Sequence, residues 1–530
     1  MRLKLVFPPP AGPTYLPLGI AYLNAVALRN GVEIGVFDAN IELWNHICSN
    51  DGVFNALRNF CHAPSEIFFR QDIYSRHFQH MPEVRQQLEK LEDMAKIYLE
   101  KDELSPELEQ LLFRHGMRIN FGIPETVAFS VMYPAQLTFV LAQAKYLSRS
   151  GADFKMIIGG AAMSAFEPLE LLETFSFIDA IFTGEGEIPF ELYLKGVEYS
   201  GIPGCFYRDG QGTVQCSGRS QYVKQLSEVA VPDFSCFEMY LYFNPVPVMP
   251  MLGNRGCQWR RCSFCVHNNS FGPHRARQPA DVVREMQELR EVYGCRHFYF
   301  ADQYVAPAFL DALSDAIISA KFDCAFQIMA RTIREYTPAL LEKASAAGCR
   351  WISWGLESGS AKLLEIMNKG TRPAESFEVI KSAHAAGISN LLMMIFGAPG
   401  SNQSCLEDTL SFLSKIYPYA DSMTASAFVL FENTAFSRNA AGYGLEILGR
   451  HVAYEVNGHK IHSNKLRFKR AGEYGNGESS LAIEEIAQWE RRKVWIGESS
   501  FVSQLCCEHY LLYVDSMKSG TPFNTLKKGA

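Results

Sequence analysis

One pattern governs what this chain can fold into. Strand-length apolar runs alternate with helical segments in two separate series, and a proline-bearing stretch divides them. The first series has runs at 3–7, 33–39, 126–131, 155–160 and 180–183, with helical patterns such as 17–29 and 136–148 between them. Strands that alternate with helices argue for a parallel sheet covered on both faces. Five such strands make a flavodoxin-like or Rossmann-like unit over residues 1–200, whose ligands bind beyond the carboxyl ends of the strands. Residues 41 to about 120 break the rhythm with charged helical sequence. That is too long for a loop inside a compact domain, so a helical insertion is expected there.

From 201 to 250 the chain turns irregular and rich in turn formers, ending in Asn244-Pro-Val-Pro-Val-Met-Pro250. It reads as a linker. The second series begins at Met251, with runs at 251–253, 297–301, 325–330, 351–356, 390–396 and 424–430, each followed by a helical pattern. Six units over 251–435 predict an α/β architecture of the partial (β/α)6 barrel type, in which reactive groups sit at the carboxyl ends of strands. Residues 436–530 form a mixed C-terminal region with a helical pattern at 483–512.

Hydrophobic residues make up 48% of the chain and charged residues 20%, which requires a large core and excludes global disorder. The net charge of -7 and the lack of any Lys/Arg run disfavour a nucleic-acid partner. No run approaches the roughly 20 apolar residues of a transmembrane helix. The first strand is broken by proline too soon for a signal peptide, so the fourteen cysteines are read as thiols of a reducing cytoplasm.

Three of those cysteines carry chemistry. Cys257, Cys262 and Cys265 lie within nine residues in Arg255-Gly-Cys-Gln-Trp-Arg-Arg-Cys-Ser-Phe-Cys265, just after the first strand of the second series. Three thiolates can hold three irons of a four-iron cluster and leave the fourth open to a ligand. The alternative is a zinc site closed by His267 or Cys295, although zinc ribbons usually pair two Cys-x-x-Cys units and only one is present.

This motif, opening a six-unit half-open barrel, resembles that of the radical S-adenosylmethionine (radical SAM) enzymes. Their usual spacing is Cys-x-x-x-Cys-x-aromatic-Cys. Here the first gap holds four residues, and Phe264 matches the aromatic position near adenine. The resemblance implies a [4Fe-4S] cluster whose open iron chelates S-adenosylmethionine. One electron, from a reductase, flavodoxin or ferredoxin, then cleaves the sulfonium bond and yields a 5'-deoxyadenosyl radical. It also implies roles at later strand ends. Asp302, in Phe300-Ala-Asp-Gln303, would accept the methionine ammonium, and Arg331 would meet its carboxylate. Glu357, in Trp354-Gly-Leu-Glu-Ser-Gly-Ser360, would bind a ribose hydroxyl. The backbone at Gly397, in Phe396-Gly-Ala-Pro-Gly400, would approach the adenosine. Asn368-Lys-Gly370 reads as a helix cap and turn.

The first series resembles the cobalamin-binding domain of one branch of these enzymes. The matching residues lie in Pro17-Leu-Gly-Ile-Ala-Tyr22, Phe129-Ser-Val-Met-Tyr-Pro134, Ile158-Gly-Gly-Ala161 and Thr183-Gly-Glu-Gly-Glu187. Tyr133, Gly159, Gly160, Gly184, Glu185 and Gly186 would face the corrinoid, since glycines let backbone approach a large ring. The Asp-x-His-x-x-Gly motif that ligates cobalt in many cobalamin proteins occurs nowhere, so Tyr133 and its neighbours are expected to meet the lower face. The resemblance implies a C-methyltransferase acting on an unactivated carbon of a small-molecule, peptide or lipid substrate. Two alternatives stay open: a radical cyclase or carbon–carbon coupling enzyme, and a corrinoid or iron–sulfur sensor without turnover.

Overall fold

Central parallel strands are covered on both faces and therefore need apolar side chains on both. That is why the run 3–7 becomes the middle of the first sheet. In the computed structural model, which describes residues 2–49, 51–267, 272–470, 485–486 and 505–519, β1 (Leu3–Phe7) pairs in parallel with β2 (Gly35–Asp38) on one side and β3 (Thr126–Ser130) on the other. β4 (Lys155–Gly159) and β5 (Ala180–Phe182) continue the parallel ladder. The order 2-1-3-4-5 is the flavodoxin-like one, and its topological switch point lies between β1 and β3. Between β2 and β3 the chain is helical, from Ala39–Ser49 through Met81–Lys101 to Pro106–Asn120.

The sheet does not stop near residue 200. β6 (Cys205–Arg208) and β7 (Val214–Cys216) add two antiparallel strands, so the stretch read as the start of a linker is the edge of the first sheet. Their turn is fixed by Asp209, whose carboxylate accepts the N–H groups of Gln211 and Thr213, each at 2.9 Å.

The second sheet has six strands, all parallel: β8 (Val248–Met251), β11 (His297–Phe300), β12 (Ala325–Ala330), β13 (Cys349–Glu357), β14 (Ser389–Phe396) and β15 (Ser422–Ala427). β8 and β15 are its free edges, so this is the half-open (β/α)6 barrel that the alternation predicts. β8 starts three residues before the expected run, inside the proline-bearing stretch. Pro250 lies opposite Tyr299 there, tolerated because an edge strand pairs on one side only. Between β8 and β11 two short strands, β9 (Asn254–Arg255) and β10 (Arg275–Ala276), pair with each other.

The C-terminal region joins the two halves. β16 (Leu445–Val456) and β17 (His459–Arg470) form a hairpin whose Tyr454 hydroxyl bonds Thr138 and whose His462 and Arg450 bond Glu170. A helix, Cys507–Ser519, closes the amino-terminal end of the barrel. Its Tyr510, Leu511 and Leu512 pack with Val248 and Trp351. Its Asp515 accepts from His297 at 3.0 Å and from Arg350 at 2.9 Å, where β11 and β13 begin. The expected helical pattern at 483–512 overlaps this helix only at its end, and 483–484 and 487–504 lie outside the described residues. Among the described residues, no helix is long and apolar enough to cross a membrane.

Candidate functional site

The cysteines ride on an excursion with a defined neck. After β8 the chain makes the β9–β10 ladder, with Arg255 opposite Arg275 and Asn254 opposite Ala276. Residues 256–267 leave through it and 272–274 lead back into it. Cys257, Cys262 and Cys265 are all partly exposed on that loop at the carboxyl end of the barrel. The four-residue gap is accommodated by Arg260, whose φ of 49° is left-handed. Trp259 is pinned beside it. Its indole N–H donates to the Asn368 carbonyl at 3.0 Å, and its ring lies 4.1 Å from the Arg331 guanidinium and 5.1 Å from that of Arg261. Gly370 has a φ of 67°, and a Cβ there would run into Trp259 and come within 2.9 Å of Arg331 Nη2. Ser263 N–H donates to the Met367 carbonyl at 2.8 Å, and Phe264 packs on the apolar cluster of Leu363, Met367 and Phe428.

Burial pushes the Cys262 thiol up to about 11, with Lys369 pulling the other way. Among the described residues, no three His, Cys, Asp or Glu side chains converge as a site for a metal ion. Cys295 is buried before β11, at the opposite end of the barrel from the loop. It is no fourth ligand.

The strand ends under the loop sort into holders and candidate binders. Asp302, expected to accept an ammonium, is fully buried, and its oxygens take the N–H groups of Gly253 (3.0 Å) and Asn254 (2.6 Å). Gln303 accepts from Gly256 N–H at 3.0 Å. Both fix the path into the loop, which gives Asp302 a structural role beside the ammonium contact expected of it. The Gly397 N–H donates to Glu485 at 2.6 Å and its carbonyl accepts from Arg470, which ties down the turn after β14.

Arg331 is 7% exposed, and one amino group donates to the Lys369 and Gly370 carbonyls. Its Nε and the Thr371 hydroxyl are buried without a protein hydrogen-bond partner among the described residues. Both residues line a cleft of about 1320 Å³ together with Trp259, Tyr304 and Arg372. Unspent donors beside a cationic side chain suit an anionic ligand group. Glu357 sits at a register shift of β13 with a φ of 64°, and its carboxylate accepts from Lys369 Nζ at 2.6 Å. Burial pulls the Lys369 ammonium down, but Glu357 and Cys262 together hold it above its ordinary range. Lys369 is the residue that sequence reasoning missed. It stood in view inside Asn368-Lys-Gly370, read as a cap and turn, and only the fold brings it to Glu357 and Cys262.

In the first sheet, Tyr133 is 42% exposed at the switch-point end of β3. Gln136 accepts its N–H at 2.9 Å and donates to the Pro8 carbonyl, tying the β3 and β1 loops together. Gly159 ends β4, and its carbonyl accepts Val131 N–H at 2.8 Å. Gly160 has a φ of 108°, and a Cβ there would meet the Val131 backbone nitrogen at 2.7 Å. Gly184 has a φ of 85° and abuts Ser220, and Gly186 precedes the helix Glu187–Leu194. The Glu185 carboxylate is bound by Arg275, Arg255 and the Val223 N–H, so it contacts the neck of the cysteine loop.

Residues 251–413 match the model of the radical SAM superfamily. They form a radical SAM domain. The match runs from the last residue of β8 through β11, β12, β13 and β14 into the helix Gln403–Ile416, includes the three cysteines, and ends before β15. Among curated proteins, an uncharacterized methyltransferase of Pyrococcus horikoshii is 26% identical over 299 residues, 55% of this chain and 63% of that protein. An anaerobic magnesium-protoporphyrin IX monomethyl ester cyclase of Cereibacter sphaeroides is 25% identical over 301 residues, 54% of this chain and 48% of that protein. The chain therefore spans less than two thirds of either relative. The solved structure of the cobalamin-dependent S-adenosylmethionine radical enzyme OxsB, with aqua-cobalamin and S-adenosylmethionine bound, shares the fold over 98% of this chain and 71% of its own, with a TM-score of 0.62 and 14% identity. The likeness thus extends beyond the radical SAM domain to the N-terminal sheet.

Proposed function

We propose that this protein is a cobalamin-dependent radical SAM methyltransferase that methylates an unactivated carbon. One observation carries the reading. A three-cysteine loop stands at the carboxyl end of a half-open barrel, and its neck is bonded to a 2-1-3-4-5 sheet of the kind that binds ligands at its switch point. Cys257, Cys262 and Cys265 would hold a [4Fe-4S] cluster, and Arg331 with Thr371 offers unspent donors for the carboxylate of S-adenosylmethionine. Glu357, oriented by Lys369, would take a ribose hydroxyl. Tyr133, exposed at the switch point, and the turn around Gly159, Gly160, Gly184 and Gly186 would face the corrinoid. Loaded, these groups supply a 5'-deoxyadenosyl radical and a transferable methyl group. The protein's own task is to hold both donors toward one substrate carbon and to exclude water.

The test is anaerobic reconstitution with mass spectrometry of nucleoside products and of any metabolite labelled from methyl-labelled S-adenosylmethionine. Alanine at Cys257, Cys262 or Cys265 is expected to abolish reductive cleavage. Alanine at Cys295, Cys324 or Cys349 is expected to leave iron content near wild type. Cleavage that survives in the triple-alanine protein refutes the assignment. The cyclase named among the relatives favours a second reading, ring closure without methyl transfer. Product that forms with 5'-deoxyadenosine but carries no methyl label would select it.

A further inference from the structure

We infer that Glu185 and Glu187 are positioning residues for the cysteine loop, holding its neck at a fixed place against the N-terminal sheet. The inference rests on reading that loop as a cluster loop and that sheet as the corrinoid side.

The neck cannot stand by itself. β9 and β10 pair over two residues each, far short of an independently stable ribbon. One of the two pairs sets Arg255 directly opposite Arg275, and like charges in that position repel. Glu185 reaches both: Arg275 Nη2 to Oε1 at 2.6 Å, Arg275 Nη1 to Oε2 at 3.0 Å, and Arg255 Nη1 to Oε2 at 3.3 Å. Glu187 pairs with the other amino group of Arg255. All four side chains are only 10–12% exposed, so screening by solvent is weak. The bidentate Arg275 contact also fixes orientation. Arg275 donates on to the Val223 carbonyl at 2.6 Å, and Val223 N–H donates back to Glu185 at 2.8 Å, which ties in the chain that links the two halves.

On its other side the same neck is held by Asp302 and Gln303, through the N–H groups of Gly253, Asn254 and Gly256. The loop is thus gripped by both halves of the protein at once. Removing the Glu185 and Glu187 charges frees one grip and restores the repulsion across the ladder. A cluster loop set about 1 Å out of place can lose roughly a hundredfold in a reaction that needs two donors aimed at one carbon.

The experiment uses the full chain with Glu185→Gln, Glu187→Gln and both together. Glu170→Gln is the control, because it breaks a different ion pair of the N-terminal half, with Arg450 and His462 of the hairpin. Hydrogen exchange of the purified proteins is read at 253–256 and 274–277. It is expected to rise at least tenfold in the double variant and to stay at the wild-type rate in the control. In reconstituted protein, methylated product per 5'-deoxyadenosine is expected to fall at least tenfold while iron per chain stays near wild type. If the double variant does not fold, the exchanged pair Glu185→Arg with Arg275→Glu is compared with Glu185→Arg alone, and recovery of the fold and slow exchange is expected. Neck exchange equal to that of Glu170→Gln, or no recovery in the exchanged pair, overturns the inference. Wild-type protein that makes neither 5'-deoxyadenosine nor methylated product sinks the functional reading instead, and the exchange result still decides whether the glutamates hold the neck.

Discussion

Asp302→Asn separates a loop holder from a ligand. Burial pushes the Asp302 carboxyl from 3.8 to about 7, against the opposing pull of the Gly253 and Asn254 N–H groups. Between those values the folded protein holds a proton that the unfolded chain has released. The contribution to stability is therefore full below the unfolded value and is lost as pH rises through the folded one. Roughly three pH units at about 1.4 kcal/mol each bound that loss at ~4 kcal/mol. The asparagine cannot ionise, so its protein lacks this slope. It keeps an acceptor for one N–H and turns an amide NH2 toward the other, a cost of about 1–3 kcal/mol at every pH. Between pH ~5 and pH ~8 about two of those three units are crossed, so the variant should gain roughly 2.5 kcal/mol on wild type over that interval. Urea unfolding midpoints of both full-length proteins at the two pH values make the comparison. Glu285 and Asp38, which burial raises to about 7 and about 6, tilt both proteins alike and cancel in the difference. Equal pH slopes in the two proteins would refute the reasoning. If S-adenosylmethionine binding also vanished with the slope unchanged, Asp302 would return to the role of ammonium ligand.

Lys369→Met strips one partner from a buried ion pair and should cost about 3–5 kcal/mol in urea unfolding, whereas Lys369→Met with Glu357→Leu should cost less than either single change. A double variant that loses the sum of the two would show that the pair is not coupled. Gly160→Ala puts a methyl group against the Val131 backbone at a φ reserved for glycine. It should cost about 3 kcal/mol or more and lower the melting temperature of the N-terminal half by roughly 6–12 °C in calorimetry. An unchanged melting temperature would mean that the β3 and β4 loops move apart freely.

Much of the fold was legible because a strand that is buried on both faces writes itself as an apolar run. β1, β3, β4 and all but the first barrel strand stand where those runs are. β8 was read late because its prolines look like a linker, and an edge strand is the one kind that tolerates them. β6 and β7 were read as linker because each is short and half-exposed, although the Asp209-Gly-Gln-Gly212 turn between them was a hairpin signal. In the site, the three cysteines were legible because ligand spacing is local. The partners of Glu185 and Asp302 were not. Arg275 lies 90 residues from Glu185, and Gly253 lies 49 residues from Asp302. A carboxylate at a strand end looks the same in sequence whether it meets a cofactor or a backbone.

Accounting for hydrogen bonds draws that distinction. Asp302, Glu185 and Gly397 meet protein partners in the structure, through both carboxylate oxygens for the first two and through N–H and C=O for the third. Each of them holds a loop: the entry to the cysteines, the neck below them, and the turn after β14. Arg331 and Thr371 instead keep a buried polar atom without a protein partner, a state that costs roughly 1–3 kcal/mol per group unless something binds there. Arg331 and Thr371 thus keep donors open beside one cleft, where the proposed function puts the carboxylate of S-adenosylmethionine, while the protein contacts of Asp302 and Glu185 tie down the chain on either side of the three thiols.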